Sequence, residues 1–205
     1  MFTGIVRGKF PIASIKDEPG LRRFEVILPS VLMEGIALGA SVAVDGVCLT
    51  VARIGADRIG FDAMEETLRK TTIGELKPND VVNIERSARM GDEIGGHVVS
   101  GHISTTAQIV AIDDHENNRA VTFKGDPEWM KFIFSKGFIA LDGASLTVVD
   151  ADKIKGTFQV WFIPETLQLT RFGEKGVGDR VNVEIDSTTQ TIVETIETYL
   201  KTQKL

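Results

Sequence analysis

The strongest constraint on the fold is an internal repeat. The stretch DGVCLTV at residues 45–51 recurs as DGASLTV at residues 142–148, ninety-seven residues later. Two copies are too few for a repeat solenoid, so the pattern predicts two domains of similar fold. The longer matches are residues 39–54 with 136–151 and residues 71–85 with 170–184.

The repeat also predicts the domain boundaries, because the two copies divide near residues 87–97. We expect an N-terminal domain over residues 1–97 and a C-terminal domain over residues 98–187. Residues 188–205 lie outside the repeat and are expected to form a terminal helix.

Both copies carry the pattern of an all-β fold. Each has an Asp-Gly dipeptide between apolar runs, which is typical of a tight β-hairpin. Further short β-type segments are separated by glycine, aspartate and asparagine turns, and this spacing predicts a barrel or a sandwich in each half. Two segments, at residues 31–36 and 127–134, have helical spacing and precede the Asp-Gly hairpin of each copy.

The terminal helix carries an apolar stripe made of Ile192, Ile196, Tyr199 and Leu200. A helix of about 15 residues is marginally stable alone, so this stripe should be covered. It either packs on its own domain or forms a contact between subunits.

Composition excludes several classes of protein. The net charge of −6 argues against nucleic-acid binding, which needs a basic surface. No apolar run approaches the roughly 18 residues of a membrane span, and the first residues do not resemble a secretory signal. The single cysteine, Cys48, rules out an internal disulfide and is consistent with a cytoplasmic protein.

The common cofactor and metal motifs are missing from the sequence. It has no phosphate-binding loop, no dinucleotide fingerprint and no cysteine pair for zinc. Asp92, Glu93 and His97 could be drawn as metal ligands, but their spacing is a weak signal and a polar linker is the simpler interpretation. Ser100 and His102 are equally weak as parts of a hydrolase triad. We therefore expect no metal and no cofactor.

Polar residues retained in both copies point to a binding site. Thr50 and Thr147 lie in strands that are otherwise apolar, and Glu66-Thr67 and Glu165-Thr166 follow strands. Each could serve folding alone, as a β-former or a helix start. Because both copies keep them while neighbouring positions differ, we expect a ligand that is a polyol joined to a flat heterocycle.

The copies also differ at positions that matter for chemistry. Cys48 in the first copy corresponds to Ser145, and Ile5 corresponds to His102 in the second. A lone cysteine is most often a small buried apolar group, and a lone histidine is most often structural. Two similar pockets with unequal groups could nevertheless treat two similar ligands differently.

Five motifs together resemble the riboflavin synthase family of the alpha-chain type: MFTGIV, DGVCLTV, DEIGGHVVSGHI, DGASLTV and IPETLQLTRFG. The resemblance spans essentially the whole chain. It implies two six-stranded β-barrels and a C-terminal helix that assembles a homotrimer. It also implies dismutation of two 6,7-dimethyl-8-ribityllumazine molecules into riboflavin and 5-amino-6-(D-ribitylamino)uracil, without an external cofactor.

The resemblance further implies two lumazine sites and an active site between subunits. His102 is the expected acid/base, Cys48 the expected nucleophile or its positioning group, and Ser41 and Asp186 are weaker catalytic candidates. The first site is expected to contain Gly4, Ile5, Val6, Cys48, Leu49, Thr50, Asp62, Ala63, Met64, Glu65, Glu66 and Thr67. The second is expected to contain Gly101, His102, Ile103, Lys136, Ser145, Leu146, Thr147, Trp161, Phe162, Ile163, Pro164, Glu165 and Thr166.

Two other functions fit the sequence less well. Non-catalytic relatives that bind a lumazine or flavin as a fluorescent antenna look similar overall. Retention of His102, Ser145, Thr147 and Glu165-Thr166 favours catalysis over that role. A flavin reductase barrel would need a tyrosine in a flavin-binding strand, whereas the only tyrosine is Tyr199 in the terminal helix.

Overall fold

The computed structural model describes residues 1–203, and within them twelve strands form two closed antiparallel barrels. The N-terminal barrel contains β1 (Lys9–Glu18), β2 (Leu21–Ile27), β3 (Ser41–Val44), β4 (Val47–Ile54), β5 (Arg58–Met64) and β6 (Val81–Arg86). The C-terminal barrel contains β7 (Thr105–His115), β8 (Asn118–Lys124), β9 (Phe138–Leu141), β10 (Ala144–Asp152), β11 (Thr157–Phe162) and β12 (Arg180–Ile185).

Short helices connect the strands at matching places in the two halves. The α-helices are α1 (Ser30–Met33), α2 (Glu65–Lys70), α3 (Pro164–Leu169) and α4 (Ser187–Thr202). The 3-10 turns are Thr72–Glu75, Met130–Phe132 and Arg171–Gly173. The helical segments that the sequence predicts before each hairpin are α1 and the 3-10 turn Met130–Phe132.

The two barrels share one topology, which confirms the predicted fold of duplicated six-stranded barrels. Around the first barrel the order is β1-β2-β5-β4-β3-β6, and the second repeats it as β7-β8-β11-β10-β9-β12. Each barrel encloses its own apolar core, with Phe24 and Phe61 in the first and Phe123 and Phe158 in the second. The repeat in sequence is therefore a repeat of a complete fold.

The two predicted hairpins are tight turns with both central residues in the left-handed region. Asp45 and Gly46 have φ values of 43° and 79°, and Asp142 and Gly143 have 42° and 86°. The turns lie back to back, since a Cβ added to Gly46 would be 2.5 Å from the backbone nitrogen of Gly143. The turns that close β3–β4 and β9–β10 are thus also the contact between the barrels.

A buried hydrogen-bond network surrounds this contact. Oδ1 of Asp45 accepts from the Asn83 amide at 2.7 Å, and Oδ1 of Asp142 accepts from the Asn182 amide at 2.7 Å. Each asparagine then reaches across the interface: Nδ2 of Asn83 donates to the Asp142 carbonyl at 3.0 Å, and Nδ2 of Asn182 donates to the Asp45 carbonyl at 2.8 Å. Because all four residues are buried, the network specifies how the barrels dock.

Two cations compensate the buried aspartates. Arg171 lies 2.6 Å from the Asp45 carboxylate, and Lys175 lies 3.1 Å from that of Asp142. Burial raises the pKa of Asp45 to about 6, the charge of Asp142 adds to the rise, and Arg171 and Lys175 oppose it. One carboxyl group of the interface therefore titrates near neutral pH.

The segments that precede each barrel cross to the opposite barrel. Phe2 and Val99 form an antiparallel bridge with N···O distances of 2.7 and 3.1 Å. Beyond this bridge, Val6 packs in the core of the C-terminal barrel and Ile103 packs against the core of the N-terminal barrel. The predicted domain of residues 1–97 therefore places residues 4–6 against the other barrel.

Helix α4 is attached to the C-terminal barrel by one side only. Asp186 caps its first turn by accepting from the Thr189 amide at 2.8 Å, Val193 packs on the barrel core, and Glu197 pairs with Lys131 at 2.6 Å. The apolar stripe faces outward, with exposures of 54%, 53%, 61% and 54% for Ile192, Ile196, Tyr199 and Leu200. The stripe does not pack on its own chain, so that alternative is wrong. Residues 204–205 of the predicted helix lie outside the described residues.

Among residues 1–203, no helix combines the length and the hydropathy that are needed to cross a bilayer.

The raised pKa of Asp45 predicts a pH dependence of stability. Between about pH 4 and pH 6 the folded chain keeps a proton that the unfolded chain has released, so this group's contribution to stability falls as the pH rises. Asp45→Asn keeps an acceptor for Asn83 but cannot ionise. We expect the free energy of unfolding, measured by urea titration, to change with pH differently in the two proteins. From about pH 4 to pH 6, the free energy of unfolding of the wild type should fall by on the order of 2 kcal/mol relative to that of the variant. Parallel pH profiles would contradict the assignment.

Candidate active site

Two matched pockets lie on equivalent parts of the two barrels, each with a volume of about 250 Å³. The first pocket, on the N-terminal barrel, is lined by Val47, Cys48, Met64, Glu66, Thr67, Lys70, Thr71, Gly101, His102 and Ile103. The second pocket, on the C-terminal barrel, is lined by Gly4, Ile5, Val6, Gly95, Ala144, Ser145, Leu146, Glu165, Thr166, Leu169 and Thr170.

Each pocket is completed by a loop that belongs in sequence to the other barrel. We call residues 4–6 the first loop and residues 101–103 the second loop. The carbonyl of Gly4 accepts from the Ser145 amide at 2.9 Å, which holds the first loop on the second pocket. The carbonyl of Gly101 accepts from the Cys48 amide at 3.0 Å, which holds the second loop on the first pocket.

Glycine is required where each loop meets a barrel. Gly4 and Gly101 have φ values of 73° and 84°, a region that residues with a Cβ rarely adopt. A Cβ on Gly4 would lie 2.5 Å from Cβ of Ser145, and one on Gly101 would lie 2.5 Å from Cβ of Cys48. The two loops can approach the strands this closely only because neither residue has a side chain.

The crossing of the loops corrects the predicted grouping of the site residues. The family resemblance implies one site with the first loop and Cys48, and another with the second loop, including His102, and Ser145. The structure pairs them the other way, because the Phe2–Val99 bridge carries each loop past the interface to the opposite barrel. Cys48 and His102, predicted to lie in different sites, therefore line the same pocket.

The first pocket holds most of the reactive side chains. Cys48 is half-buried and His102 is exposed to solvent at its edge. Glu66 forms an ion pair with Lys70 at 2.7 Å, and this hydrogen bond lowers the pKa of the Glu66 carboxyl group. A thiol, an imidazole, an ammonium group and a carboxylate thus face one cavity, which suits nucleophilic and proton-transfer chemistry.

The second pocket has the same volume but less reactive side chains. Ser145 replaces the thiol, Ile5 replaces the imidazole, and Leu169 stands at the position equivalent to Lys70. Glu165 keeps its carboxylate and, within residues 1–203, has no ion-pair partner. This pocket is better suited to holding a ligand than to reacting with one.

His97 contacts a residue of the second pocket, and sequence reasoning missed this contact. Its Nδ1 lies 2.6 Å from Oγ of Ser145, and its ring stacks on Phe138 with centroids 5.3 Å apart. Burial lowers the pKa of His97, which Asp186 and Glu184 oppose, so the ring is neutral at neutral pH. The sequence alone predicts a linker residue here, with a metal ligand as the weaker alternative. No feature of the flanking GDEIGGH stretch indicates its contact with Ser145.

Free backbone groups line both pockets. Within residues 1–203 neither the N–H nor the C=O of Val6 or Ile103 makes a hydrogen bond, although both residues lie at pocket walls. Buried or half-buried backbone groups normally find partners, so a ligand is the natural candidate. One unpaired donor and one unpaired acceptor per pocket match the edge of a planar heterocycle.

Several other predicted residues lie on the outer barrel surface beside the pockets. Residues two apart on a strand share a face, so Thr50 lies on the same face as Cys48, and Ser41 pairs with Thr50 across β3 and β4. Thr147 lies beside Ser145 in the same way and pairs with Phe138. These positions can extend each pocket along the strands.

The remaining predicted residues do not line either pocket: they are buried in a core, contact another side chain, or are exposed to solvent. Leu49, Ala63 and Phe162 are buried in the barrel cores, so only their backbones could reach a ligand. Asp62 pairs with Arg53 at 2.6 Å, and Trp161 stacks on His115 with centroids 5.4 Å apart. The exposed residues among the rest are Glu65, Lys136, Ile163 and Pro164.

Comparison with known proteins identifies the family. The lumazine-binding domain profile matches the chain twice, at residues 3–87 and 100–186. Riboflavin synthase of Escherichia coli (strain K12) is 50% identical over 201 residues, covering 98% of this chain and 93% of that protein. The chain belongs to the riboflavin synthase family. Riboflavin synthase of Chlamydia pneumoniae is 41% identical over 200 residues, covering 98% of this chain and 97% of that protein. The resemblance inferred from the motifs is confirmed.

Solved structures show the same architecture with ligands bound. The structure of LumP complexed with riboflavin superposes with a TM-score of 0.85 at 27% identity, covering 91% of this chain and 100% of that one. LumP complexed with 6,7-dimethyl-8-(1'-D-ribityl) lumazine gives a TM-score of 0.81 at 27% identity, covering 90% and 98%.

Because Gly101 lies so close to Cys48, a methyl group added at position 101 should destabilise the folded protein. Gly101→Ala should lower the free energy of unfolding by about 3 kcal/mol, from backbone strain and from the contact with Cys48. Gly35→Ala is a matched control, because Gly35 has a φ of 63° but no atom within 4 Å of an added Cβ. It should cost about 1 kcal/mol. Equal decreases in the free energy of unfolding of the two variants, measured by urea titration, would show that the contact with Cys48 does not affect stability.

Proposed function

We propose that this chain catalyses the dismutation of two 6,7-dimethyl-8-ribityllumazine molecules to riboflavin and 5-amino-6-(D-ribitylamino)uracil. One substrate donates a four-carbon unit to the other, which makes the enzyme a transferase, EC 2.5.1.9, at the last step of riboflavin biosynthesis. The observation that carries this proposal is the pair of matched pockets with unequal reactive groups. A reaction that consumes two copies of one molecule in different roles needs such a pair.

The pockets offer the groups that a ribityllumazine needs. The free N–H and C=O of Val6 and of Ile103 are placed to pair with the pyrimidine edge of one ligand each. Glu66 with Thr67 in the first pocket, and Glu165 with Thr166 in the second, supply acceptors and hydroxyls for the ribityl chain. The lumazine complex of LumP supports this assignment for a structure of the same fold.

The two bound rings must meet, and we infer that they do so between subunits. Each pocket, at about 250 Å³, is smaller than the roughly 300–1,000 Å³ typical of small-molecule sites, so a second surface should complete it. A first pocket of one subunit facing a second pocket of another would stack two lumazines antiparallel. Holding two reactants in register can supply several kcal/mol of the barrier.

The chemistry is assigned to the first pocket. The 7-methyl group of one lumazine is acidic because its anion delocalises into the pteridine ring. His102, at the edge of this pocket, is placed to take part in that proton transfer. Cys48, held by its amide to Gly101, would position or supply the nucleophile that adds to the donor ring. No external oxidant is needed, since one substrate is oxidised as the other is reduced.

Ser41 and Asp186 remain lesser candidates. Ser41 lies across from Thr50 on the outer face beside the first pocket, which is compatible with a ligand contact. Asp186 already accepts from the Thr189 amide and hydroxyl at 2.8 and 2.7 Å, so its carboxylate has a structural role at the start of α4.

The degree of identity supports catalysis over a role as a fluorescent antenna. Identity to proteins named riboflavin synthase reaches 50%, against 26–27% to the LumP structures. The first pocket also carries both Cys48 and His102, which binding alone does not require.

A direct assay tests the proposed reaction. Purified protein in EDTA-treated buffer should convert 6,7-dimethyl-8-ribityllumazine to riboflavin, followed by the shift in absorbance. His102→Gln should lower kcat by about 100-fold, as expected for loss of a general acid/base, and Cys48→Ser should also lower it. His115→Gln is the matched control, because His115 is the last residue of β7 and lines neither pocket. Unchanged turnover in His102→Gln or Cys48→Ser would remove the role from that residue. The absence of riboflavin with the wild type would refute the proposed reaction.

We infer that the protein is a cytoplasmic homotrimer, and the exposed stripe of α4 supports a contact between its subunits. Sedimentation equilibrium should give three times the chain mass of 22.4 kDa. Ile196→Glu places a charge in the centre of the stripe and should shift the mass towards that of the monomer, since a buried unpaired charge is costly. Thr191→Glu adds the same charge outside the stripe and should leave the assembly unchanged. A wild-type monomer at micromolar concentration would contradict the trimer.

A further inference from the structure

Two buried glutamates occupy the same position in the two barrels. Glu85 on β6 is 2% exposed and Glu184 on β12 is 6% exposed. Each lies beside a small residue of the neighbouring strand, Ala43 for Glu85 and Ala140 for Glu184. Their side chains point away from the barrel cores, because the alternate residues Ile84 and Val183 fill those cores.

Glu85 holds the residue that precedes the first loop. Its Oε1 accepts from the Thr3 amide at 2.6 Å and from the Thr3 hydroxyl at 2.7 Å. The same hydroxyl accepts from the Ile5 amide at 3.2 Å. A carboxylate on the N-terminal barrel is thus linked, through one hydroxyl, to the loop that lines the second pocket.

Glu184 makes the equivalent contacts with the second loop. Its Oε1 accepts from the Ser100 amide and from the Ser100 hydroxyl, each at 2.7 Å, and its Oε2 accepts from the Gly101 amide at 2.8 Å. The Ser100 hydroxyl accepts from the His102 amide at 3.1 Å. A carboxylate on the C-terminal barrel therefore holds the loop that carries His102 into the first pocket.

We propose that Glu85 and Glu184 are positioning residues for binding, and that each acts on the pocket of the opposite barrel. This inference rests on the proposed function for the identity of the ligand. Glu85 sets the position of the first loop, with the free backbone groups of Val6, on the second pocket. Glu184 sets the position of the second loop, with those of Ile103, on the first pocket.

The glutamates supplement one backbone hydrogen bond that ties each loop to the opposite barrel. Both lie outside regular secondary structure, and each contains a glycine with few conformational restraints. Hydrogen bonds to an ionised carboxylate are about twice as strong as neutral ones, so one buried glutamate can restrain a loop that is otherwise tied to a strand by a single backbone bond. Burial raises the pKa of Glu85, and the hydroxyl and amide of Thr3 oppose that rise by favouring the ionised form.

A purely structural role would predict a different pattern from the one proposed. If the glutamates only stabilised the interface between the barrels, loss of either would weaken both pockets to a similar degree. If each acted on its own barrel, loss of Glu85 would weaken the first pocket. The crossed effect is specific to the geometry of the loops.

The single cysteine makes the two pockets separately measurable. Cys48 lines the first pocket, so protection of its thiol from iodoacetamide by riboflavin reports occupancy of that pocket. The double variant Cys48→Ser, Ser145→Cys moves the only thiol to the second pocket. Glu85→Gln and Glu184→Gln are introduced into both backgrounds. Glu25→Gln is the matched control, because Glu25 contacts Ser14 on the N-terminal barrel.

The expected result is a crossed pattern. Glu85→Gln should raise the riboflavin concentration for half-protection about tenfold at the thiol in position 145, and change it less than twofold at Cys48. Glu184→Gln should do the reverse. Glu25→Gln should change neither. Equal weakening at both thiols, weakening at the thiol on the same barrel, or no change at either would overturn the proposal.

Two further measurements keep the test decisive. If a glutamine variant fails to fold, Thr3→Val and Ser100→Ala remove only the linking hydroxyls and should give the same crossed pattern with smaller shifts. Deuterium exchange without ligand should rise in residues 3–6 of Glu85→Gln and in residues 100–103 of Glu184→Gln. If riboflavin protects neither thiol in the parent proteins, the proposed function fails. The deuterium exchange measurement then tests by itself whether Glu85 and Glu184 hold the loops. Unchanged exchange in these segments overturns that role.

Discussion

The contact between two Asp-Gly turns is the constraint on which the rest of the structure depends. Gly46 and Gly143 touch through their backbones, and this contact is possible only because neither residue has a side chain. Asn83 and Asn182 reach across it with hydrogen bonds, which use polar groups to fix the orientation of the barrels. A network of this kind costs desolvation, but a fully paired one specifies a single arrangement. Every other cross-barrel feature follows from that arrangement.

The first of these features is the exchange of loops between the barrels. The bridge between Phe2 and Val99 lies where the two copies meet, and beyond it each chain segment continues onto the opposite barrel. Each pocket is therefore built from both copies of the repeat. The exchange also combines the residues at which the copies differ. Cys48 and His102 come together in one pocket, and Ser145 and Ile5 come together in the other. A duplicated fold thus has two pockets of similar volume and different chemistry.

The limits of sequence reasoning are visible at particular residues. The repeat indicates which positions matter and includes Glu85 and Glu184 as its last matched pair, but nothing in the sequence shows that they hold the loops. What it could not show is which side of the interface a segment lies on, because spacing along the chain is the same for a crossed and an uncrossed loop. His97 was missed for a related reason, since its contact with Ser145 bridges 48 positions in the chain.

The sequence alone determined the local and repeated features of this protein. The Asp-Gly dipeptides predict tight hairpins, the alternation of apolar and polar residues predicts short strands, and the repeat predicts two similar domains. Hairpins and strands can be predicted in this way because they depend on residues that are close in the chain. Only the tertiary structure decided how the copies share their pockets and that the stripe around Ile196 stays exposed. Those outcomes depend on packing between distant segments, where a few buried contacts select one arrangement from several that the same local pattern allows.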